Sequence, residues 1–192
     1  MKKYEFTGEV KNIGGKTLHR IRALIDIPKH DVKAGDLGGW LETEGNLSHN
    51  GAAWVTGDAV VTGAAWVTDS ARVTDSACVT GSACVTDEAR VTGSALVTGE
   101  ARVTGNACVS GNARVMKSSD CITIGTIGSR DDTTTFYRGA DGKIYVSCGC
   151  FSGTIDDFAI KVKEVHAGTK HEKTYLLAIE LAKAQMDEEE DS

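Results

Sequence analysis

The sequence predicts a mainly β protein: a parallel β-helix carrying an N-terminal β cap and a small C-terminal α+β module of ββαα order. Three observations predict it. From Val55 to Val115 a valine falls every sixth residue, with an alanine two places before each and no insertion. Ahead of that series lie short apolar–polar alternations split by Gly14-Gly15. Behind it the period stops, and helix-start residues and helical apolar stripes take its place. The expected divisions are 1–40 for the cap, 41–117 for the β-helix, 118–186 for the C-terminal module and 187–192 for an acidic tail.

In the cap, Tyr4 to Val10 and Thr17 to Ile25 alternate as strands do, and Gly14-Gly15 supplies a tight turn between them. An open β-helix end exposes unpaired backbone and core side chains, so a plug is required there. Trp40 is the expected plug residue, with a ligand stacked on it as the alternative.

The central unit V-[TS]-[GD]-x-A-x does not fit a helix, which wants apolar residues at steps of three and four. It reads as a two-residue strand and a corner. Three units close one triangular coil of eighteen residues, with Val and the small Ala inside. Side chains alternate along a strand, so Thr and the residue before Val point outward. Gly, Asp, Asn and Ser at the corner accept turn dihedrals. Leu41 with Gly45 and Leu47 with Gly51 are looser units expected to start the stack before a two-residue slip.

Residues eighteen apart share a face. One face carries Trp54, Arg72, Arg90 and Cys108, the second Val60, Cys78, Leu96 and Arg114, the third Trp66, Cys84 and Arg102. The second is the most apolar and suggests subunit packing. Cys78, Cys84 and Cys108 never differ by eighteen, so none can pair along a face. Cys148-Gly149-Cys150 is expected on one strand, but a CxC pair alone falls short of a four-ligand zinc site. No metal and no cofactor are expected.

In the C-terminal module, Ile122 to Ile127 and Ile144 to Phe151 read as strands. Thr154 is an N-cap with Asp157 in the capping-box place, and Gly168 follows the helix end. The last helix, about His171 to Gln185, places Tyr175, Ala178, Ile179 and Ala182 on one stripe. His166 is explained by the helix macrodipole.

The formal net charge of −6 argues against sequence-independent nucleic-acid binding, which needs clustered Lys and Arg. No apolar stretch reads as a membrane span or a signal peptide, and a cytoplasmic protein with reduced thiols is expected. The most unusual segment runs from Gly125 to Arg138. Arg130 and Arg138 can fork onto phosphate or carboxylate. Phe136 can stack a base, Ser129 and Thr134 can donate hydrogen bonds, and Phe151 follows on the next strand. These six are the candidate ligand-binding residues. The opposing reading is a polar hairpin in which Arg130 pairs with Asp131 or Asp132.

The repeat resembles the hexapeptide-repeat superfamily of left-handed parallel β-helices, and that likeness supplies the expected handedness. Many members are acyltransferases in which a loop bulges from a coil and a histidine serves as base. Here no loop and no histidine interrupt Val55 to Val115, so the solenoid reads as a scaffold. Such β-helices commonly form trimers, which implies a homo-oligomer. Tyr4-Glu-Phe-Thr-Gly-Glu, Gly35-Asp-Leu-Gly-Gly-Trp, Ile127-Gly-Ser-Arg-Asp-Asp-Thr-Thr-Thr-Phe and Cys148-Gly-Cys-Phe-Ser-Gly-Thr look like a family of phage and prophage proteins, often termed transferases on the repeat alone. The C-terminal module is also loosely similar to phage sponge proteins that sequester cyclic nucleotide immune signals. The resemblance implies a phage-type oligomer acting in the host cytoplasm, and the catalytically empty scaffold with the Arg130 to Arg138 segment reads as a non-enzymatic protein that binds through its C-terminal module. It would bind a host-defence component, either a cyclic nucleotide or other small anion, or a host immune protein. The rivals are an acyltransferase-like enzyme and a structural virion protein.

Overall fold

The computed structural model describes residues 2–186. The acidic tail expected at 187–192 lies outside the described residues. Strands β1 (Tyr4–Ile13) and β2 (Lys16–Ala23) form the expected antiparallel hairpin, and β3 (Leu37–Leu41) pairs with β2. The repeat then lays down eleven two-residue strands. They are β4 (Trp54–Val55), β5 (Val60–Val61), β6 (Trp66–Val67), β7 (Arg72–Val73), β8 (Cys78–Val79), β9 (Cys84–Val85), β10 (Arg90–Val91), β11 (Leu96–Val97), β12 (Arg102–Val103), β13 (Cys108–Val109) and β14 (Arg114–Val115).

Every third strand pairs in parallel with the next, which makes three sheets: β4-β7-β10-β13, β5-β8-β11-β14 and β6-β9-β12. This is a parallel β-solenoid, and its faces carry the residues that the eighteen-residue spacing assigned to them. Each repeat Val is fully buried, and no repeat Ala exceeds 3 % exposure. The inward-facing repeat positions are therefore all aliphatic. The residue two places after each valine from Val55 to Val109 is left-handed, a glycine at seven corners and an aspartate at three. The aspartates tie rung to rung: Asp75 and Asp87 accept the amides of Gly93 (3.0 Å) and Gly105 (2.9 Å) below them.

The expected slip is visible in the register. Leu41 pairs with Val61 and Leu47 with Val67, twenty residues on, whereas later partners are eighteen apart. Through β3 the hairpin is fused onto a solenoid sheet of order β1-β2-β3-β5-β8-β11-β14. Trp40 is not the plug. It sits on the outer side of β3 opposite Arg20, with the Lys11 ammonium 4.2 Å and the Arg20 guanidinium 5.1 Å from its ring centre. Those cations cover the ring on which the alternative reading places a ligand. Tyr4, Ile21 and Leu41 close the core instead.

Two polar side chains replace the rung that the first coil lacks. Lys3 Nζ donates to Ala53 O at 2.7 Å, and Asn46 Nδ2 donates to Gly63 O (3.0 Å) and Ala65 O (2.9 Å). Burial holds the Lys3 amine down at about 8, against its ordinary 10.5. Between those values the unfolded chain binds more protons than the folded one, so stability rises with pH across that window. Relative to Lys3→Met, wild-type protein is expected to gain on the order of 2–3 kcal/mol as pH passes from about 8 to about 10.5. Thermal melts of both proteins through that window check this, and a constant gap would show a hydrated ammonium.

After the last coil come β15 (Cys121–Ile127), β16 (Asp132–Arg138), β17 (Ile144–Cys148) and β18 (Phe151–Thr154), an antiparallel sheet in sequence order, then α1 (Ile155–His166) and α2 (Lys170–Met186). The module is thus ββββαα rather than ββαα. Gly125 to Arg138 is a hairpin, as the opposing reading has it: it completes β15, turns at 128–131 and runs through β16, but Thr134 to Tyr137 are buried in that interior strand. Cys148 and Cys150 do not share a strand; Gly149 and Cys150 form the β17–β18 turn.

The sheet is packed on both sides. Tyr137 joins the solenoid core, while Phe136, Ile144 and Val146 join α1 and α2 in a second core. Side-chain and backbone bonds fix the first junction: Cys108 N donates to Thr135 Oγ1 at 3.0 Å, and Ala140 N to Asn112 O at 2.9 Å. Among the described residues no helix is long and apolar enough to cross a membrane.

Candidate functional site: an aromatic cleft in the C-terminal module

Thr154 starts α1 as expected, accepting the Asp157 amide at 3.2 Å. That start aims Phe158 inward, where it meets Phe151 (ring centres 5.0 Å apart), Tyr175 of α2 (5.4 Å) and Phe136 (6.4 Å). Above this aromatic floor the β15–β16 and β17–β18 turns stand apart from α1. They leave a cleft of about 360 Å³, within the range of small-molecule sites.

Ser129 and Arg130 form one lip of the cleft, and Lys161 and His166 of α1 form the other. The turn at the first lip is shaped by Gly128, whose φ is +81° and where a Cβ would fall 1.7 Å from the Tyr175 hydroxyl oxygen. Glycine is required there on both counts. Burial, with Cys148 beside it, pushes the Tyr175 phenol up to about 12. It stays a protonated donor and acceptor at neutral pH. Lys161 is engaged with Glu164 at 3.2 Å. Arg130 is exposed and makes no ion pair with a described residue, so the pairing with Asp131 or Asp132 in the opposing reading is absent.

The six residues singled out in the sequence are divided by the fold. Ser129, Arg130 and Phe151 come together in the cleft. Thr134 is fully buried, with its hydroxyl on Cys148 Sγ at 3.2 Å. Phe136 is equally buried and faces the helices, so it offers no free ring for stacking. Arg138 lies elsewhere: Nε donates to Asp120 Oδ1 at 3.4 Å, Nη1 to Gly142 O at 3.1 Å and Nη2 to Met186 O. The physical reason is shared. A strand in the middle of a sheet covered on both faces gives its side chains to two cores. Phe158 and Tyr175 belong to the cleft too, yet in the sequence they are indistinguishable from ordinary helix-stripe residues. The spacing does not reveal that the stripe faces a gap.

A wider hollow of about 570 Å³ lies between the last coil and the sheet, lined by Ser110, Asn112, Asp141 and Tyr145 and by no cation. Among the described residues no group of three or more His, Cys, Asp or Glu is placed to hold a metal ion. The 360 Å³ cleft therefore combines the ring faces, a free guanidinium and the hydroxyl groups in one place. It can stack a planar group, pair with an anion and hydrogen-bond a polar edge. Scans against protein-family models and against curated proteins return no match.

Proposed function

We propose that this is a non-enzymatic, oligomeric binding protein that sequesters a small anionic, ring-bearing ligand of the nucleotide class in the C-terminal cleft. The unpartnered Arg130 at the mouth of an aromatic floor carries the reading. An exposed guanidinium with no ion-paired acid is suited to phosphate, and the partly exposed Phe151 ring, backed by the buried Phe158 and Tyr175, is suited to a ring-bearing group. In this reading the solenoid is a rigid scaffold. Its flat faces serve for self-association, trimeric by preference, and the half-exposed Trp66 on one of them (49 % accessible) is suited to that role. The phage-type, cytoplasmic anti-defence setting follows from the sequence resemblance, with a nucleotide signal as the sequestered host component.

Native mass spectrometry of wild-type protein with a panel of mononucleotides and cyclic nucleotides tests both parts, since it reports stoichiometry and retained ligand together. A multiple of the chain mass with one ligand per chain is expected. Arg130→Ala is expected to weaken binding about 10- to 100-fold, the worth of one charged hydrogen bond. Unchanged affinity in Arg130→Ala, or no retention of any panel member, would sink the site assignment.

A further inference from the structure

The face of the solenoid nearest the cleft carries a second set of unpartnered cations. Arg72 and Arg90 are register partners on β7 and β10. Their Cα atoms are therefore about 4.8 Å apart, and like charges so placed repel. Neither makes an ion pair with a described residue, and Arg72 Nε is buried without a hydrogen-bond partner. Lys29 and His30 of the cap lie next to them. The His30 imidazole is held below its ordinary value by burial first and then by the positive charge of Arg72. The acids of this strip, Asp75, Glu88 and Asp132, form no ion pair with Arg72 or Arg90, although the positive charges of those arginines help to hold Asp75 and Glu88 below the usual carboxylate range. Glu88 is paired with Lys29, and the Asp75 carboxylate takes the Gly93 amide (3.0 Å) and the Thr74 hydroxyl (3.1 Å). Asp132 accepts the Thr133 amide at 2.7 Å.

Two further hollows connect these arginines to the cleft. Asp132 and Gly149 border both the cleft and a neighbouring hollow of about 330 Å³. Arg90 and Cys108 border both that hollow and a third of about 610 Å³, which reaches Arg72. The result is one trough running from Arg130 past Arg90 to Arg72. Along its solenoid stretch, strand backbone groups are bonded rung to rung, as with Arg72 N to Ala89 O and Arg90 N to Ala107 O. An added peptide strand has no such donors to use there, whereas phosphates need only side chains.

We infer that the trough is one extended site whose ligand is an oligonucleotide of two or more phosphodiester-linked nucleotides. One ring lies in the cleft, and successive phosphates lie along Arg130, Arg90 and Arg72. This rests on the nucleotide reading of the cleft and extends it. Three arginines along one trough suit a short single strand, not a duplex.

The test is calorimetric titration of the full chain with AMP and with the 5′-phosphorylated forms of the dinucleotide ApA and the trinucleotide ApApA, which carry one, two and three phosphates, at one fixed salt concentration. Affinity is expected to rise about ten-fold or more from AMP to ApApA. Arg72→Ala with Arg90→Ala is expected to bring the ApApA-to-AMP ratio toward one, while Arg102→Ala, on a different face, keeps it. Circular dichroism melts confirm that the variants fold. Binding of AMP with no gain for ApApA, or a ratio untouched by the double variant, overturns the extended site and leaves the cleft standing. No binding of AMP or ApApA overturns both.

Discussion

Gly99→Ala is expected to destabilise the solenoid by about 3 kcal/mol or more, and Gly105→Ala by about 1 kcal/mol. The two corners share a backbone conformation, with φ of +63° and +64°. Left-handed dihedrals cost a non-glycine residue roughly 1–2 kcal/mol, offset in part by the stiffer unfolded chain. What differs is the space beyond the Cβ. At Gly99 it would fall 2.3 Å from Met116 O, where the chain leaves the last coil; at Gly105 nothing lies within 4 Å. The carbonyl has to move, and with it the neighbouring bond from Thr98 N to Val115 O (2.9 Å). Urea midpoints of both variants check this. Equal shifts would mean that the corner backbone gives way freely and that dihedral strain is the whole cost.

Asp120→Ala is expected to cost about 2–4 kcal/mol, because it leaves two backbone amides without their acceptor and the half-buried Arg138 without its acid. Asp120 is 3 % exposed. Its Oδ2 accepts the amides of Met116 (2.9 Å) and Lys117 (3.0 Å), and its Oδ1 accepts from Arg138. One carboxylate thus closes the last coil and anchors the strand that crosses it. Asp120→Asn keeps an oxygen for the amides and loses the charge, so it is expected to fall between wild type and alanine. Urea unfolding at neutral pH gives the ranking, and hydrogen exchange shows whether β15 to β18 open first. If both variants lie within about 0.5 kcal/mol of wild type, ordinary for a surface change, the junction is held by packing alone.

The parts of this fold legible in the sequence are those whose cause is local or periodic. A six-residue beat sets the rungs, multiples of eighteen set the faces, the slip shows in Leu41 and Leu47, and Thr154 announces its helix. The illegible parts depend on partners distant along the chain. Lys3 looks like an ordinary charged residue near the start of the chain until the first coil is seen to lack a rung. Trp40 reads as a plug because it is large and apolar, but the pleat turns it outward under Lys11 and Arg20. Phe136 reads as an exposed platform until β16 is found between two packed layers. In the cleft, Arg130 and Ser129 stood out because glycine-rich turns leave side chains free. Arg72 and Arg90 were assigned to the correct face, yet their lack of acids is a property of three dimensions.

Because each coil repeats its neighbour, the length of this molecule is adjustable in units. Removing or duplicating eighteen residues would move the two ends by one layer and preserve their mutual bearing. Removing six would instead rotate the C-terminal module by a third of a revolution and set a different column of side chains beneath the cleft. Insertions or deletions of whole revolutions therefore retain the alignment between module and shaft, and fractional ones erase it.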